Sequence, residues 1–299
     1  MMKIKFITGF SVISAICSVL FLKHIDEPSI HAQAALLIDA STGEVFYEKN
    51  ADTPLAAASM SKMMTEYLVL EQLHQGRLKW EDEVAITDYA ANTDGVRIQL
   101  HAGEQVTVQD LYAAMLIPSA NNAAVALAEH IAGSEAQFTA RMNEKGQELG
   151  LENSNFINAT GLTEGNQAST MTAKDLSKLA QALLRDFPEV LETTSLPTYT
   201  LGFSGERIQS TNHMLLKQDL AVEGLDGLKT GYTNKAGYCF TGTASRDGRR
   251  FITVVMGTSD SDERFVETQK LFALGFHTVY IPSFSSILLK VKEIKEQWV

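Results

Sequence analysis

The alternation of hydrophobic and polar positions predicts β-structure at both ends of the chain. Near the start, residues 35–39 and 44–48 alternate on either side of Ala40-Ser41-Thr42-Gly43, a pattern typical of a β-hairpin. After Pro197 the alternation returns and predicts strands at 198–203, 206–210, 228–232, 238–244 and 249–257.

Between these strand regions the hydrophobic positions follow a helical period. From Ser59 they recur at helical spacing up to a stop signal at Gly76. Further helices are predicted at 108–116, 121–131, 135–149, 173–187 and about 262–274, with N-caps at Thr107, Ser134 and Thr172. Because strands bracket a helical middle, we predict an α+β fold. One antiparallel sheet is built from both chain ends, with a helical region beside it.

The first 34 residues have the pattern of a secretory signal peptide. Lys3 and Lys5 precede a mainly apolar run at 6–22, and Ala32-Gln33-Ala34 supplies the small residues that signal peptidase recognises. An uncleaved membrane anchor is the alternative. We therefore predict a signal peptide at 1–34, a catalytic domain at 35–281 and a short tail at 282–299. Export would place the protein outside the cytoplasm, in the cell wall or on the outer face of the membrane.

Composition and charge exclude several classes of protein. Hydrophobic residues make up 45% of the 299 positions, which is typical of a globular chain. The formal net charge is −11 and no basic cluster occurs, so a nucleic-acid partner is not expected. The two cysteines, Cys17 and Cys239, do not make a disulfide framework. No zinc motif or Cys/His cluster is present, and we predict neither a metal nor a cofactor.

Ser59-Met60-Ser61-Lys62 is the only S-x-x-K in the sequence, and it begins the first predicted helix. Residues three apart on a helix share a face, so the Lys62 amine can reach the Ser59 hydroxyl. A serine is a poor nucleophile unless a base accepts its proton, and burial favours the neutral, basic form of a lysine. The pair is a candidate nucleophile and base, although a solvated helix face with a serine cap has the same pattern.

Two further short patterns contain polar groups that acyl transfer could use. Ser119-Ala120-Asn121 precedes a predicted helix, but S-x-N is a weak signal because Ser210-Thr211-Asn212 is a second copy. Either copy can be an ordinary turn or N-cap. Lys229-Thr230-Gly231 occurs once, on a predicted strand. There, a lysine, a hydroxyl and a residue without a side chain would let a substrate lie along the backbone and meet a positive charge.

In this order the three motifs resemble those of the penicillin-recognising serine enzymes. Within that group the chain is similar to the low-molecular-mass penicillin-binding proteins that are D-alanyl-D-alanine carboxypeptidases. The resemblance covers roughly residues 35–276, and it includes the stretches 56–65, 117–124, 142–145, 227–233 and 235–238. It implies a β-lactamase/transpeptidase-like fold. It also implies removal of the terminal D-alanine from peptidoglycan stem peptides, with β-lactam antibiotics as inhibitors.

The resemblance implies roles for the residues that form and stabilise the acyl-enzyme. Ser59 would be the acylated nucleophile and Lys62 its general base. Ser119 would relay a proton toward the leaving amine, and Asn121 would hold the substrate amide carbonyl. The backbone amides of Ser59 and Tyr232 would form the oxyanion hole.

A second group of residues would bind the end of the substrate. Lys229 would supply positive potential, Thr230 would bind the substrate carboxylate, and Gly231 would complete the substrate-binding strand. Arg264 matches the position of an arginine that helps to bind the terminal carboxylate, although an arginine on an amphipathic helix can also be a plain surface residue. Family members often have histidine where this chain has Tyr232, so no side-chain role is carried over to it.

Other functions use parts of the same pattern. A β-lactamase shares the acylation machinery but needs a carboxylate that activates the deacylating water. The position expected for that carboxylate is Asn155, and nearby Glu152 lacks the surrounding motif. A cross-linking transpeptidase and an inactive wall-binding protein are further alternatives. All of the required side chains are present, which argues against the inactive protein.

The C-terminal tail has an amphipathic pattern. Apolar residues recur at helical spacing within 285–299, between lysines and glutamates. This pattern is typical of a helix that makes weak peripheral contact with a membrane, and equally of a helix that packs on the catalytic domain. Few residues follow Phe276, so we expect no second C-terminal domain.

Overall fold

The structure is a computed structural model, and it describes residues 28–277. Its strands are β1 (Ala34–Asp39), β2 (Val45–Lys49), β3 (Leu55–Ala56), β4 (Glu83–Ala85), β5 (Gln105–Thr107), β6 (Thr170–Met171), β7 (Thr198–Thr200), β8 (Arg207–Gln209), β9 (Leu225–Thr233), β10 (Gly237–Arg246) and β11 (Arg249–Thr258). Its α-helices are α1 (Lys62–His74), α2 (Asp88–Ala91), α3 (Val108–Leu116), α4 (Asn121–Ala132), α5 (Glu135–Glu148), α6 (Ala173–Asp186), α7 (Val190–Thr194) and α8 (Glu263–Gly275). Short 3₁₀ helices lie at Ala58–Ser61 and His213–Leu215.

Five antiparallel strands form the central sheet, in the order β2-β1-β11-β10-β9. β1 pairs with β11 in a register that sets Ala34 opposite Met256 and Asp39 opposite Phe251. The sheet is thus assembled from the first and last strands of the described chain, which confirms the predicted α+β arrangement. β9 forms one edge of the sheet, so one side of its backbone is not paired with another strand of the sheet.

Both faces of the sheet are covered by hydrophobic packing. Successive side chains of a strand point to opposite faces, so neighbouring residues of β1 belong to different clusters. Leu36 and Ile38 of β1 belong to the larger hydrophobic core, which the helical region shares. Leu37 lies on the opposite face, in a separate cluster with Leu271 and Phe272 of α8. The sheet therefore lies between α8 and the helical region. The helical region beside the sheet was predicted, whereas the position of α8 on the opposite face was not.

The fold begins upstream of the boundary that we predicted at Ala35. Ala34 is the first residue of β1 and is fully buried. The Gln33 amide donates to the Met256 carbonyl oxygen over 2.8 Å. Ile30 is 4% exposed and packs in the hydrophobic cluster beside α8. Residues 30–34 therefore contribute to the catalytic domain. The predicted tail and most of the predicted signal segment lie outside the described residues.

The longer helices and their caps agree closely with the sequence pattern. Thr107, Ser134 and Thr172 each accept a hydrogen bond from the backbone amide three residues later, at the starts of α3, α5 and α6. The pattern does not predict the short pairs β3–β6 and β4–β5 or the helices α2 and α7. These elements have too few residues to show a period, and their partners are distant in sequence.

Candidate active site

The three motifs meet beside the edge strand β9. Ser59 lies in the 3₁₀ helix Ala58–Ser61, and this helix packs against β9. A β-carbon at Gly231 would lie 3.1 Å from the Ala57 carbonyl oxygen and 3.2 Å from the Met60 nitrogen. A side chain at this glycine of the K-T-G motif would therefore require the 3₁₀ helix to shift by a few tenths of an ångström. The sequence pattern suggested only that this glycine allows a substrate to approach.

The nucleophile candidate lies in a tighter helix than the one we predicted. Ser59 belongs to the 3₁₀ helix, and α1 begins only at Lys62. Residues i and i+3 are aligned in a 3₁₀ helix, and the Lys62 Nζ is 3.0 Å from the Ser59 Oγ.

Two residues of the site have left-handed backbone conformations: Ala58 has φ 47° and Ser119 has φ 70°. For residues other than glycine, this conformation costs roughly 1–3 kcal/mol of stability. The surrounding fold must impose these two conformations at the site.

Lys62 is completely buried, and its Nζ has three hydrogen-bond partners. It lies 3.0 Å from the Ser59 Oγ, 2.6 Å from the Asn121 Oδ1 and 2.8 Å from the Thr160 carbonyl oxygen. The last two oxygens can only accept, whereas the Ser59 hydroxyl can accept or donate. A neutral amine that donates to both keeps its lone pair directed at Ser59. This is the arrangement that a general base needs.

Burial also changes the acidity of the two lysines at the site. Desolvation lowers the pKa of Lys62 well below its ordinary value, and the charge of Lys229 acts in the same direction. The Glu135 carboxylate opposes this shift. Desolvation is the main cause that lowers the pKa of Lys229 to about 7. The negative charge of Glu66 opposes this shift, and the positive charge of Arg264 adds to it. The site thus favours a neutral Lys62 close to neutral pH.

Ser119 is paired with Lys229 rather than with Lys62. The Lys229 Nζ donates to the Ser119 Oγ over 2.8 Å and to the Thr230 carbonyl oxygen over 3.2 Å. Because the lysine is the donor, the Ser119 hydroxyl proton is available to an acceptor in the cleft. The second and third motifs are therefore connected by a hydrogen bond between their side chains.

Asn121 holds several parts of the site together. Its Oδ1 accepts from Lys62, and its Nδ2 donates to the Asp94 carbonyl oxygen over 2.8 Å. Its backbone amide donates to the Val96 carbonyl oxygen over 2.7 Å. An amide nitrogen carries two hydrogens, so one remains for a ligand carbonyl.

Arg264 supports β9 from behind. Its Nη1 donates to the Gly231 carbonyl oxygen over 3.1 Å, and its guanidinium lies 5.4 Å from the centre of the Tyr238 ring. Its Nε is buried and has no hydrogen-bond partner among the described residues. Tyr232 is 48% exposed, stacks on Tyr238 and donates to the Asn234 Oδ1. Arg264 is therefore a buried residue in contact with the K-T-G strand and not a surface arginine.

Comparison with known proteins decides the family. A family model described as D-alanyl-D-alanine carboxypeptidase matches residues 22–260. The chain belongs to the D-alanyl-D-alanine carboxypeptidase family. DacF of Bacillus subtilis, named a D-alanyl-D-alanine carboxypeptidase, is 37% identical over 283 residues, which cover 93% of this chain and 72% of DacF. The D-alanyl-D-alanine carboxypeptidase DacC of Escherichia coli is 36% identical over 258 residues, which cover 84% of this chain and 63% of DacC.

Solved structures of this family have the same fold. Penicillin-binding protein D2 from Listeria monocytogenes, in its ampicillin-bound form, is 39% identical with a TM-score of 0.73. The match covers 83% of this chain and 98% of that chain. The D-alanyl-D-alanine carboxypeptidase family and the β-lactamase/transpeptidase-like fold that the motifs indicated are thus confirmed. The protein is a serine peptidase of this carboxypeptidase family.

The structure also places residues beside the motif residues of the candidate site that the motifs themselves do not contain. The Thr160 carbonyl binds Lys62, but a backbone oxygen leaves no signature in the sequence. Glu66, one turn after Lys62 on α1, is completely buried and accepts from the Tyr112 hydroxyl over 3.1 Å. A glutamate among apolar helix positions was a signal that could have indicated it.

Within residues 28–277, no group of three or more His, Cys, Asp or Glu side chains is placed to hold a metal ion. In the same range, no helix has both the length and the apolar character needed to cross a membrane. Glu152, which lies near the position expected for a deacylating carboxylate, is exposed, and its neighbour Asn153 binds Asp175 through its backbone amide.

Proposed function

We propose that the protein removes the terminal D-alanine from peptidoglycan stem peptides through an acyl-Ser59 intermediate. The observation that carries this proposal is the contact of 3.0 Å between the Lys62 Nζ and the Ser59 Oγ. It is supported by two fixed acceptors, Asn121 and Thr160, which orient the amine. Burial, which lowers the pKa of Lys62, supplies the neutral base that acylation requires.

In the proposed reaction the Ser59 Oγ attacks the carbonyl carbon of the D-Ala–D-Ala bond while its proton passes to Lys62. The backbone amides of Ser59 and Tyr232 stabilise the oxyanion. The C–N bond then breaks as the proton taken up by Lys62 passes, by way of the Ser119 hydroxyl, to the amine of the leaving D-alanine, which leaves Lys62 neutral again. A water molecule hydrolyses the ester, which releases the shortened peptide and restores the Ser59 hydroxyl.

The free carboxylate of the substrate would be bound beside Lys229 and Thr230, with Arg264 behind the strand. Lys229 on β9 donates to the Ser119 hydroxyl, and Arg264 donates to the Gly231 carbonyl oxygen. Positive charge on both residues favours a peptide that ends in a carboxylate over an internal peptide bond. Arg264→Ala should therefore lower cleavage of D-Ala-D-Ala much more than cleavage of its C-terminal amide. Equal losses of cleavage rate on the two substrates would show that Arg264 has only a structural role.

Penicillin labelling tests the proposed nucleophile. Intact mass and peptide mapping should find one penicilloyl group, on Ser59, and incubation with diacetyl-Lys-D-Ala-D-Ala should release D-alanine. Ser59→Ala should abolish both. Ser61→Ala is the matched control, because the Ser61 hydroxyl is buried two residues away and has no hydrogen-bond partner among the described residues. An adduct mapped to another residue would contradict the proposal.

The same experiment separates a carboxypeptidase from a β-lactamase. Both oxygens of Glu135 are engaged, by the Ala159 amide and the Tyr89 hydroxyl. We expect the penicilloyl ester on Ser59 to persist, because the Glu135 carboxylate is held by these two donors and the exposed Glu152 lacks the motif that surrounds a deacylating carboxylate. Rapid catalytic turnover of penicillin would contradict the carboxypeptidase assignment.

The location of the enzyme belongs to the same proposal. The signal-like pattern in the first 34 residues supports export to the outer side of the cytoplasmic membrane, and the amphipathic tail supports weak membrane contact. Liposome sedimentation with and without residues 285–299 tests the tail. Salt-sensitive binding that depends on the tail is the expected result. Equal partitioning, with a lower melting temperature for the truncated form, would show that the tail packs on the domain.

A further inference from the structure

The second S-x-N sequence, Ser210-Thr211-Asn212, has a part in the site that its sequence does not reveal. Asn212 is an ordinary cap, since its side chain accepts from the Met214 amide at the start of a 3₁₀ helix. Thr211 instead faces the K-T-G strand. Its Oγ1 lies 2.6 Å from the Thr230 Oγ1.

The backbone of Thr211 is held in place independently of this contact. Its amide donates to the Ile117 carbonyl oxygen over 3.1 Å, directly before the turn that carries Ser119. Thr211 thus connects the loop of the second motif with the strand of the third. Thr230 itself is 5% exposed, and Thr211 is the one hydrogen-bond partner of its hydroxyl among residues 28–277.

Either of the two hydroxyls can be the donor in this hydrogen bond. The Thr211 hydroxyl has two acceptors in reach, the Thr230 Oγ1 at 2.6 Å and the Ile117 carbonyl oxygen at 3.5 Å. The first distance is short for a hydrogen bond between hydroxyls, whereas the second is at the limit for any bond. A Thr211 hydroxyl that donates to Thr230 leaves the Thr230 proton free to point into the cleft.

We propose that Thr211 is a positioning residue for the peptidase reaction, because its hydroxyl orients that of Thr230 toward the substrate carboxylate. This inference rests on the proposed function, in which Thr230 binds that carboxylate. A fixed hydroxyl loses less rotational freedom on binding than a free one. The effect of Thr211 should therefore depend on the presence of Thr230.

A double-mutant cycle tests this dependence. Thr211→Val, Thr230→Val and the double variant are compared by the second-order rate constant for penicillin acylation and by kcat/KM on diacetyl-Lys-D-Ala-D-Ala. Thr211→Val should lower both about 5- to 10-fold, the usual effect of one lost hydrogen bond. The double variant should be no slower than Thr230→Val. Thr211→Ser, which keeps the hydroxyl, should restore most of the rate.

Thr253→Val is the matched control. It removes a buried threonine hydroxyl from β11, where Thr253 contacts the Gly242 carbonyl, and it should leave the rates unchanged. Melting temperatures of all variants verify folding, and Thr211→Ala replaces Thr211→Val if valine unfolds the protein.

Three outcomes would overturn the inference. Unchanged rates in Thr211→Val would show that the contact does not affect catalysis. Losses that multiply in the double variant would show that Thr211 acts independently of Thr230. A normal rate in Thr230→Val would remove the role of Thr230 itself, while the penicillin adduct would still test Ser59 separately.

Discussion

At the scale of single residues, Lys62 combines complete burial with a hydrogen bond to the nucleophile. An isolated buried ammonium is strongly disfavoured, and a neutral amine is the form that can accept a proton. The two obligate acceptors, Asn121 and Thr160, are satisfied by a neutral amine as well as by a charged one. The position is therefore suited to a base that gains and loses a proton during each cycle.

We predict that Lys62→Ala keeps the fold but lowers the rate of penicillin acylation by at least about 10²-fold, since it removes the general base. Acylation is measured with a fluorescent penicillin, and circular dichroism verifies folding. Lys178→Ala serves as a control, because Lys178 is an exposed lysine on α6 that binds the Gly150 carbonyl. Near-normal acylation in Lys62→Ala would assign the base to another group, and Lys229 is the obvious one.

The buried carboxyl group of Glu66 should make the free energy of unfolding depend on pH. Burial raises its pKa from 4.5 to about 8, against the opposing effects of the Tyr112 hydrogen bond and the Lys229 charge. Between these values the unfolded carboxyl is ionised while the folded one keeps its proton, so the native state binds more protons. The contribution of Glu66 to stability is therefore complete below pH 4.5 and is lost as the pH rises to about 8.

We expect Glu66→Gln to flatten this dependence, because an amide does not ionise. Between pH 5 and pH 8 the melting temperature of the natural protein should fall by roughly 5 °C more than that of the variant. Both proteins contain Lys229, so its own titration largely cancels in the comparison. Parallel curves for the two proteins would show that Glu66 ionises normally in the fold.

At the scale of elements, the 3₁₀ helix that carries Ser59 is held between β9 and the loop that contains Gly161. A β-carbon at Gly161 would lie 1.9 Å from the Ala58 carbonyl oxygen, which no small adjustment relieves. Gly165 lies in the same loop and also has positive φ, but a β-carbon there would meet nothing within 4 Å. Alanine substitutions at the two glycines therefore distinguish the effect of steric contact with Ala58 from the effect of backbone strain.

We predict that Gly161→Ala displaces the 3₁₀ helix and lowers penicillin acylation of Ser59 by about 10-fold or more, as a small misplacement of a reacting group does. Gly165→Ala is also penalised by its left-handed backbone, but it should keep nearly normal acylation. Stopped-flow acylation rates provide the comparison. Equal effects of the two substitutions would show that backbone strain, not contact with Ala58, determines the result.

At the scale of the whole molecule, the residues before β1 connect the N-terminal end of the domain to the sheet and to α8. Lys49 donates to the Ile30 carbonyl oxygen over 2.7 Å, and Lys270 donates to the Ser29 carbonyl oxygen over 3.2 Å. Ile30 adds a buried side chain, which stabilises a fold by about 1.5–3 kcal/mol. A mature chain that begins at Ala35 would lose all of these contacts.

We predict that a protein starting at Ala35 melts at least about 5 °C below one starting at Pro28. The active site should be intact in both, so penicillin labelling of Ser59 at low temperature serves as the control. Differential scanning calorimetry supplies the melting temperatures. Equal values would show that residues 28–34 contribute nothing to stability, as the predicted boundary at Ala35 implies.

The sequence by itself determined the features that depend on short-range interactions. Helical period and N-cap chemistry involve residues three or four apart, so α3 to α6 and the caps Thr107, Ser134 and Thr172 are readable from the pattern. Strand alternation and the two-ended arrangement predicted the central sheet. The three motifs predicted the site residues through their resemblance to a family, because each motif lies within a few consecutive positions.

Only the tertiary structure determined which residues that are distant in sequence contact one another. The Thr160 carbonyl beside Lys62 and the Thr211 hydroxyl beside Thr230 come from loops whose sequences suggest ordinary turns. The left-handed conformations of Ala58 and Ser119 are likewise imposed by packing, since local preference opposes them. Contacts of this kind depend on the path of the whole chain, and no local pattern of residues encodes them.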